Sequence, residues 1–150
     1  MNFLLIAAAV IIVDQFTKYI VVQNFFLGES IPVIPNVFHW TYILNPGAAF
    51  GMLEGSRWLF VLIAAAVIAG VWFFRREIRQ EGLLIEAGSA LFVGGAIGNL
   101  IDRILHGVVI DFFDLRIWPI FNVADIAICV GVGLILWKII AEEFLADRNA

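Results

Sequence analysis

Asp111 and Asp125 are the residues whose type and setting fit bond-breaking chemistry best. They lie 14 positions apart, and neither has a lysine or arginine three or four residues away to pair with it. Two carboxylates held close cannot both ionise. They share one proton, so one serves as general base on a water while the other serves as general acid. That combination hydrolyses an amide without a metal, provided the fold brings the two together; spacing alone leaves this open. Other polar residues fall at helical spacings. Asp14 and Lys18 are four apart on one face and read as an ion pair. Asn99 shares a face with Asp102 and Arg103, and Asp102 beside Arg103 reads as a second pair. Asn122 and Asp125 are three apart, and Asn45 closes an aromatic stretch.

Other chemistries fit less well. Cys129 has no nearby histidine and reads as a small packing residue. His39 and His106 are isolated, no Cys/His group has zinc spacing, and no metal or cofactor is expected. Ser30, Ser56 and Ser89 have no base at a suggestive position, and no glycine-rich phosphate loop is present.

The elements that must position these residues are set by hydropathy. The 150 residues are 63% hydrophobic and 15% charged, with a mean hydropathy of +1.00. A soluble domain is usually nearer half apolar. A net charge of −4 with no basic patch excludes a nucleic-acid partner. Four stretches approach the 20 or so apolar residues that cross a bilayer: 2–22, 57–74, 83–101 and 121–140. The first resembles a signal-peptide core but lacks a basic start and runs on too far, so it reads as a retained span. The expected fold is one membrane domain over 1–150, mainly α, a four-helix bundle with a small outward-facing β-sheet built from the connectors.

The connector RREIRQEG carries Arg75, Arg76 and Arg79, whereas 23–56 has no lysine or arginine. The positive-inside rule therefore places the short connector and both termini in the cytoplasm, although Arg103 and Arg116 on the other side weaken that vote. Phe38, Trp40, Tyr42 and Leu44 alternate with His39, Thr41 and Ile43, which predicts a strand whose aromatic side suits the membrane interface. Pro32 and Pro35 argue against helix before it, and Asn45-Pro46-Gly47 predicts a turn after it. HGVVIDFFDLRIWPI is also β-prone. Gly94 and Gly98 form a GxxxG pair, read as close helix packing. With this topology the acidic and amide residues converge near the outer face. A transmembrane proton relay would spread them across the bilayer, and a scaffold would not need two unpaired aspartates; both remain alternatives to a one-sided catalytic pocket.

The stretches DQFTK, NPGAAFG, GGAIGNLIDR, GVVIDFFD and FNVADIAICVG occur in that order. Each alone is weak, but together they resemble the signal peptidase II family over the whole chain. The resemblance implies an aspartic endopeptidase of the bacterial inner membrane. Its substrates would be prolipoproteins carrying diacylglycerol on a cysteine, cut just before that cysteine. The family's catalytic aspartates match Asp111 and Asp125. The polar residues of its other motifs match Asp14, Lys18, Asn45, Asn99, Asp102, Arg103 and Asn122, which would orient substrate or support the site. Asn45 and Arg103 are expected nearest the substrate backbone, and Asp102 is the alternative partner for Asp125. Pro46 sits where the family varies and should stiffen the turn. Membrane lipid and prolipoprotein are the expected partners, and a monomer suffices. The connector 23–56 is further expected to form a mobile clamp.

Overall fold

The computed structural model describes residues 3–47 and 55–147. Its elements run α1 (Phe3–Asn24), β1 (Ser30–Ile34), β2 (Phe38–Asn45), α2 (Arg57–Phe73), α3 (Arg75–Gln80), α4 (Leu83–His106), β3 (Val109–Asp114) and α5 (Val123–Asp147). Among the described residues three helices are long and apolar enough to cross a membrane: α1, α4 and Val123–Leu145 of α5. At 1.5 Å per residue each reaches about 33 Å or more, against roughly 30 Å of hydrocarbon. The apolar helix α2 has 17 residues and falls outside that set.

Helix α4 overruns the expected third span, and of the residues it adds only Asp102 is buried. The apolar run of the third span ends at Ile101, but α4 carries on through Asp102 and Arg103 to His106. Gly107, at φ 80°, then supplies the left-handed residue that stops the helix and turns the chain toward β3.

Helix α4 is the central element, packed against α1, α2 and α5. Glycines let it approach on two sides. Gly94 and Gly98 face α1, while Gly88 and Gly95 face α5, which bears out the packing reading of the GxxxG pair. At Gly98 a β-carbon would lie 2.5 Å from Oδ2 of Asp14. Gly98→Ala is therefore expected to destabilise the fold by about 1–3 kcal/mol through overpacking, and to lower activity by displacing Asp14. Thermal unfolding in detergent checks this, and Gly70→Ala, which meets open space, is the control.

The connectors form a three-stranded antiparallel sheet in the order β1-β2-β3. Much of 23–56 is thus a regular hairpin, and 48–54, including positions 48–51 of the NPGAAFG motif, lie outside the described residues. Pro32 is accommodated because β1 is an edge strand. The aromatics of β2 turn inward rather than outward. Trp40 stacks on Phe112 at 5.6 Å, and Trp40 and Tyr42 pack on a core of Val21, Ile110 and Phe112. This core seats the sheet on the end of α1, so that β3 runs beside the start of α5.

Candidate active site

The site is organised around Lys18, which is 2% exposed. An ammonium has three N–H donors, and each finds an acceptor: Asp14 Oδ2 at 2.9 Å, Asp102 Oδ2 at 2.8 Å and Asn99 Oδ1 at 2.9 Å. The expected Asp14–Lys18 pair is present. The expected Asp102–Arg103 pair is not: Asp102 is held by Lys18, by Gln15 Nε2 at 3.0 Å and by the Ile110 amide at 3.1 Å. Consecutive residues on a helix point about 100° apart and do not face each other. Arg103 instead donates to the Gly47 carbonyl at 3.1 Å and lies 4.7 Å over the Phe60 ring.

Asp14 also ties α1 to α5, accepting the Ala124 amide at 2.9 Å. That amide is one of the donors a helix start leaves without a partner. The rest of this start is a reciprocal cap. Asn122 Oδ1 accepts the Asp125 amide at 3.0 Å, and Asp125 Oδ2 accepts the Asn122 amide at 3.0 Å. This is the capping-box arrangement built from Asn and Asp, and it fixes the Asp125 carboxylate at the head of α5. Its other oxygen accepts Asn99 Nδ2 at 2.8 Å.

Asp111 arrives from the sheet. In the register of β2 on β3 it lies opposite Ile43, with Asn45 opposite Val109, so Asn45 is its diagonal neighbour. Asn45 Nδ2 donates to Asp111 Oδ2 at 2.9 Å, and Asn122 Nδ2 donates to Asp111 Oδ1 at 2.7 Å. Asn122 thus touches both carboxylates. Asn45, Asn99 and Asn122 all donate to the two acids through neutral amides, and Asn99 is the hydrogen-bond link between Lys18 and Asp125. Burial first, and the Asp125 carboxylate second, push Asp111 up to about 7, against the hydrogen bonds from Asn45 and Asn122 and the charge of Lys18, which favour its ionised form.

Asp111 and Asp125 line one cavity of about 410 Å³, together with Asn45, Asn99 and Arg103. The remaining wall is largely apolar, including Phe60, Ile63 and Phe92. Asp14, Lys18, Asp102 and Asn122 do not line it, but Asn122 bonds to Asp111 and Lys18 to Asn99, which do. Cys129, expected to be a packing residue, is exposed and lines the cavity one helical turn beyond Asp125. The signal was in the spacing, since positions i and i+4 share a face.

The sheet holds a second polar group that sequence distance hid. The hairpin register sets Ser30 opposite Thr41 and Pro32 opposite His39. Ser30 Oγ lies 3.1 Å from His39 Nδ1 and 2.7 Å from Thr41 Oγ1, and Thr41 donates to Asp114 at 2.9 Å. It is not a Ser-His-Asp arrangement, because Asp114 is engaged by Thr41 and Arg116 rather than by His39.

Residues 6–141 match the family described as signal peptidase (SPase) II. A lipoprotein signal peptidase of Pelotomaculum thermopropionicum is 47% identical over 145 residues, covering 97% of this chain and 95% of the relative. One from Halalkalibacterium halodurans is 44% identical over 153 residues, covering 99% and 98%. The fold superposes on a solved bacterial membrane enzyme with a TM-score of 0.89 at 37% identity, covering 94% of this chain and 88% of that one. A second bacterial membrane enzyme gives 0.83 at 38% identity, covering 91% of each.

Proposed function

This chain belongs to the signal peptidase II family and cleaves the signal peptides of prolipoproteins, and we propose that Asp111 and Asp125 are the pair that does so. The observation that carries this assignment is their placement. A buried carboxylate, Asp111, and a half-buried one, Asp125, come from different elements, share Asn122, take neutral donors, and line the same cavity. Asp102, the other candidate, has both oxygens occupied by Lys18, Gln15 and a backbone amide, away from that cavity.

Asp111 holds the shared proton below about pH 7, and Asp125 is the ionised partner. Asp125 takes a proton from water, which attacks the scissile carbonyl. The Asp111 carboxyl donates a hydrogen bond to the carbonyl oxygen as negative charge develops there, and the proton passes on to the leaving amine. Asn45 and Arg103 are the polar groups closest to hand for the substrate backbone. The apolar wall takes the lipid-modified side of the substrate, so the diacylglyceryl chains stay in hydrocarbon while the peptide bond reaches the acids. In this reading α2 is a fourth span, the arginine-bearing connector after it is cytoplasmic, and the cavity opens toward the outer face of the inner membrane. One copy of the chain holds the whole site.

Purified enzyme in detergent, given a diacylglyceryl-modified prolipoprotein and the same precursor without lipid, tests the substrate. Mass analysis should show a cut immediately before the modified cysteine, with the unmodified precursor at least tenfold slower. Equal rates for both would remove the lipid from the specificity.

The proton assignment fixes a pH dependence. The neutral Asp111 carboxyl is the active form, so kcat/KM should fall with loss of one proton as pH rises through about 7. The Asn45 amide favours the ionised form of Asp111. Asn45→Ala should therefore move this alkaline limb to higher pH while lowering the plateau. A limb that moves to lower pH would contradict the assignment.

A further inference from the structure

We propose that the cleft between α1 and α2, which starts at the arginine-bearing end of the bundle and meets a different face of α4 from the catalytic cavity, binds an anionic glycerophospholipid. Two adjoining cavities make it. One, of about 630 Å³, gathers Arg75, Arg76 and Arg79 with Glu86. The other, of about 700 Å³, is apolar and runs along α1 as far as Ile11. They share Phe3, Leu4 and Trp72.

Charge and shape fit the two halves of one lipid. Three guanidiniums against one carboxylate leave the first cavity cationic, and planar guanidiniums match phosphate oxygens. Glu77 and Glu81 do not line it; Glu77 lies two positions from both Arg75 and Arg79, and so on the other side of the helical turn. Arg75 is pre-set: it lies 4.4 Å over the Trp72 ring and donates to the Trp72 carbonyl at 2.9 Å, which places the cation at the mouth of the apolar slot. In the slot, Ala7 and Ala8 of α1 and Ala65 and Ala69 of α2 leave room that larger side chains would close. From Phe3 to Ile11 it runs roughly 12 Å at the helical rise, enough for the upper part of an acyl chain. Basic pockets between spanning helices on the cytoplasmic side take acidic headgroups. A lipid in this cleft would wedge α1 and α2 against α4, and none of these residues belongs to the catalytic cavity.

The test uses delipidated full-length protein in detergent, titrated with phosphatidylglycerol, with phosphatidylcholine of the same acyl chains, and with glycerol phosphate. Binding is read by native mass spectrometry and thermal unfolding. Phosphatidylglycerol should bind one to one and saturably, raise Tm by several degrees, and bind on the order of tenfold tighter than phosphatidylcholine. Glycerol phosphate should do nothing. Arg76→Gln with Arg79→Gln should reduce phosphatidylglycerol to the phosphatidylcholine level, and Ala69→Phe should weaken both lipids. These three residues are exposed, so the variants are expected to fold, and their Tm without lipid confirms it. Equal binding of the two phospholipids, insensitivity to the variants, or a shift reproduced by glycerol phosphate alone would overturn the proposal.

Discussion

Lys18→Met is expected to cost about 3–5 kcal/mol of stability and to lower Tm in detergent by about 10 °C. The methionine fills much of the lysine's volume, so the loss is electrostatic rather than a cavity. It strands two buried carboxylates and an amide oxygen, at Asp14, Asp102 and Asn99. An uncompensated buried charge is far more costly than a missing pair. If this is the cause, removing the stranded charges should give part of the stability back. Lys18→Met combined with Asp14→Asn and Asp102→Asn should be more stable than Lys18→Met alone. A triple variant that is less stable than the single one would show that packing, not charge, sets the effect.

Asp125→Asn is expected to lower kcat by at least about 10⁴-fold. An amide neither takes a proton from water nor carries the charge that the step needs, and removing a central acid–base group costs losses of this order in comparable hydrolytic sites. The substitution also disturbs its neighbours. Asp125 accepts on both oxygens, from Asn99 Nδ2 and from the Asn122 amide. An asparagine must turn its own NH₂ toward one of these donors. Asn99 cannot readily flip to help, because its oxygen is held by Lys18 and by Asn122 at 3.0 Å. A stability loss of about 1–3 kcal/mol should accompany the activity loss. Asn122→Ala gives the complementary result. It keeps both acids and the main-chain amide on the Asp125 carboxylate, but removes the side chain that donates to Asp111 and caps the Asp125 amide, and should lower kcat/KM about 10²-fold while losing about 1 kcal/mol of helix cap. Steady-state cleavage and unfolding measured on the same preparations separate the two effects.

Most of the frame was legible because it follows from hydropathy and turn chemistry. Long apolar runs gave α1, α4 and α5, period-two alternation gave β2, and the β-prone stretch HGVVIDFFDLRIWPI gave β3. The small size of Gly94 and Gly98 gave the close approach of α1 to α4. β1 was hidden, since SIPVI is short, carries a proline, and becomes a strand only by pairing with β2. Within the site, the Asn122–Asp125 spacing was visible as a pair of polar residues at a helix start, and the cap is what such spacing produces. The partner of Asp102 was not visible. Proximity in sequence favoured Arg103, while the actual partner comes from α1, 84 residues away in numbering. The same holds for Asn99, which looked like one more polar group on α4. It becomes the link between Lys18 and Asp125 only once α1 and α5 pack on adjacent sides of that helix. Local pattern fixes which residues are capable; long-range packing decides which of them meet.

The most direct test of the central assignment is cleavage of a diacylglyceryl-modified prolipoprotein by Asp111→Asn and Asp102→Asn, compared with wild type at equal folded fraction and with and without a chelator. Exchanging Asp111 disturbs one neutral hydrogen bond, because an asparagine oxygen still accepts Asn122 Nδ2, while Asn45 must release the Gly47 amide, at 3.0 Å, to turn its oxygen toward the new NH₂. Asp111→Asn should keep a near-native Tm and lose cleavage to background. Asp102→Asn should lose stability through Lys18 yet retain measurable turnover in its folded fraction, and the chelator should change nothing. A folded Asp111→Asn that still cuts, beside a folded Asp102→Asn that does not, would contradict the account and move the catalytic pair to Asp102 and Asp125.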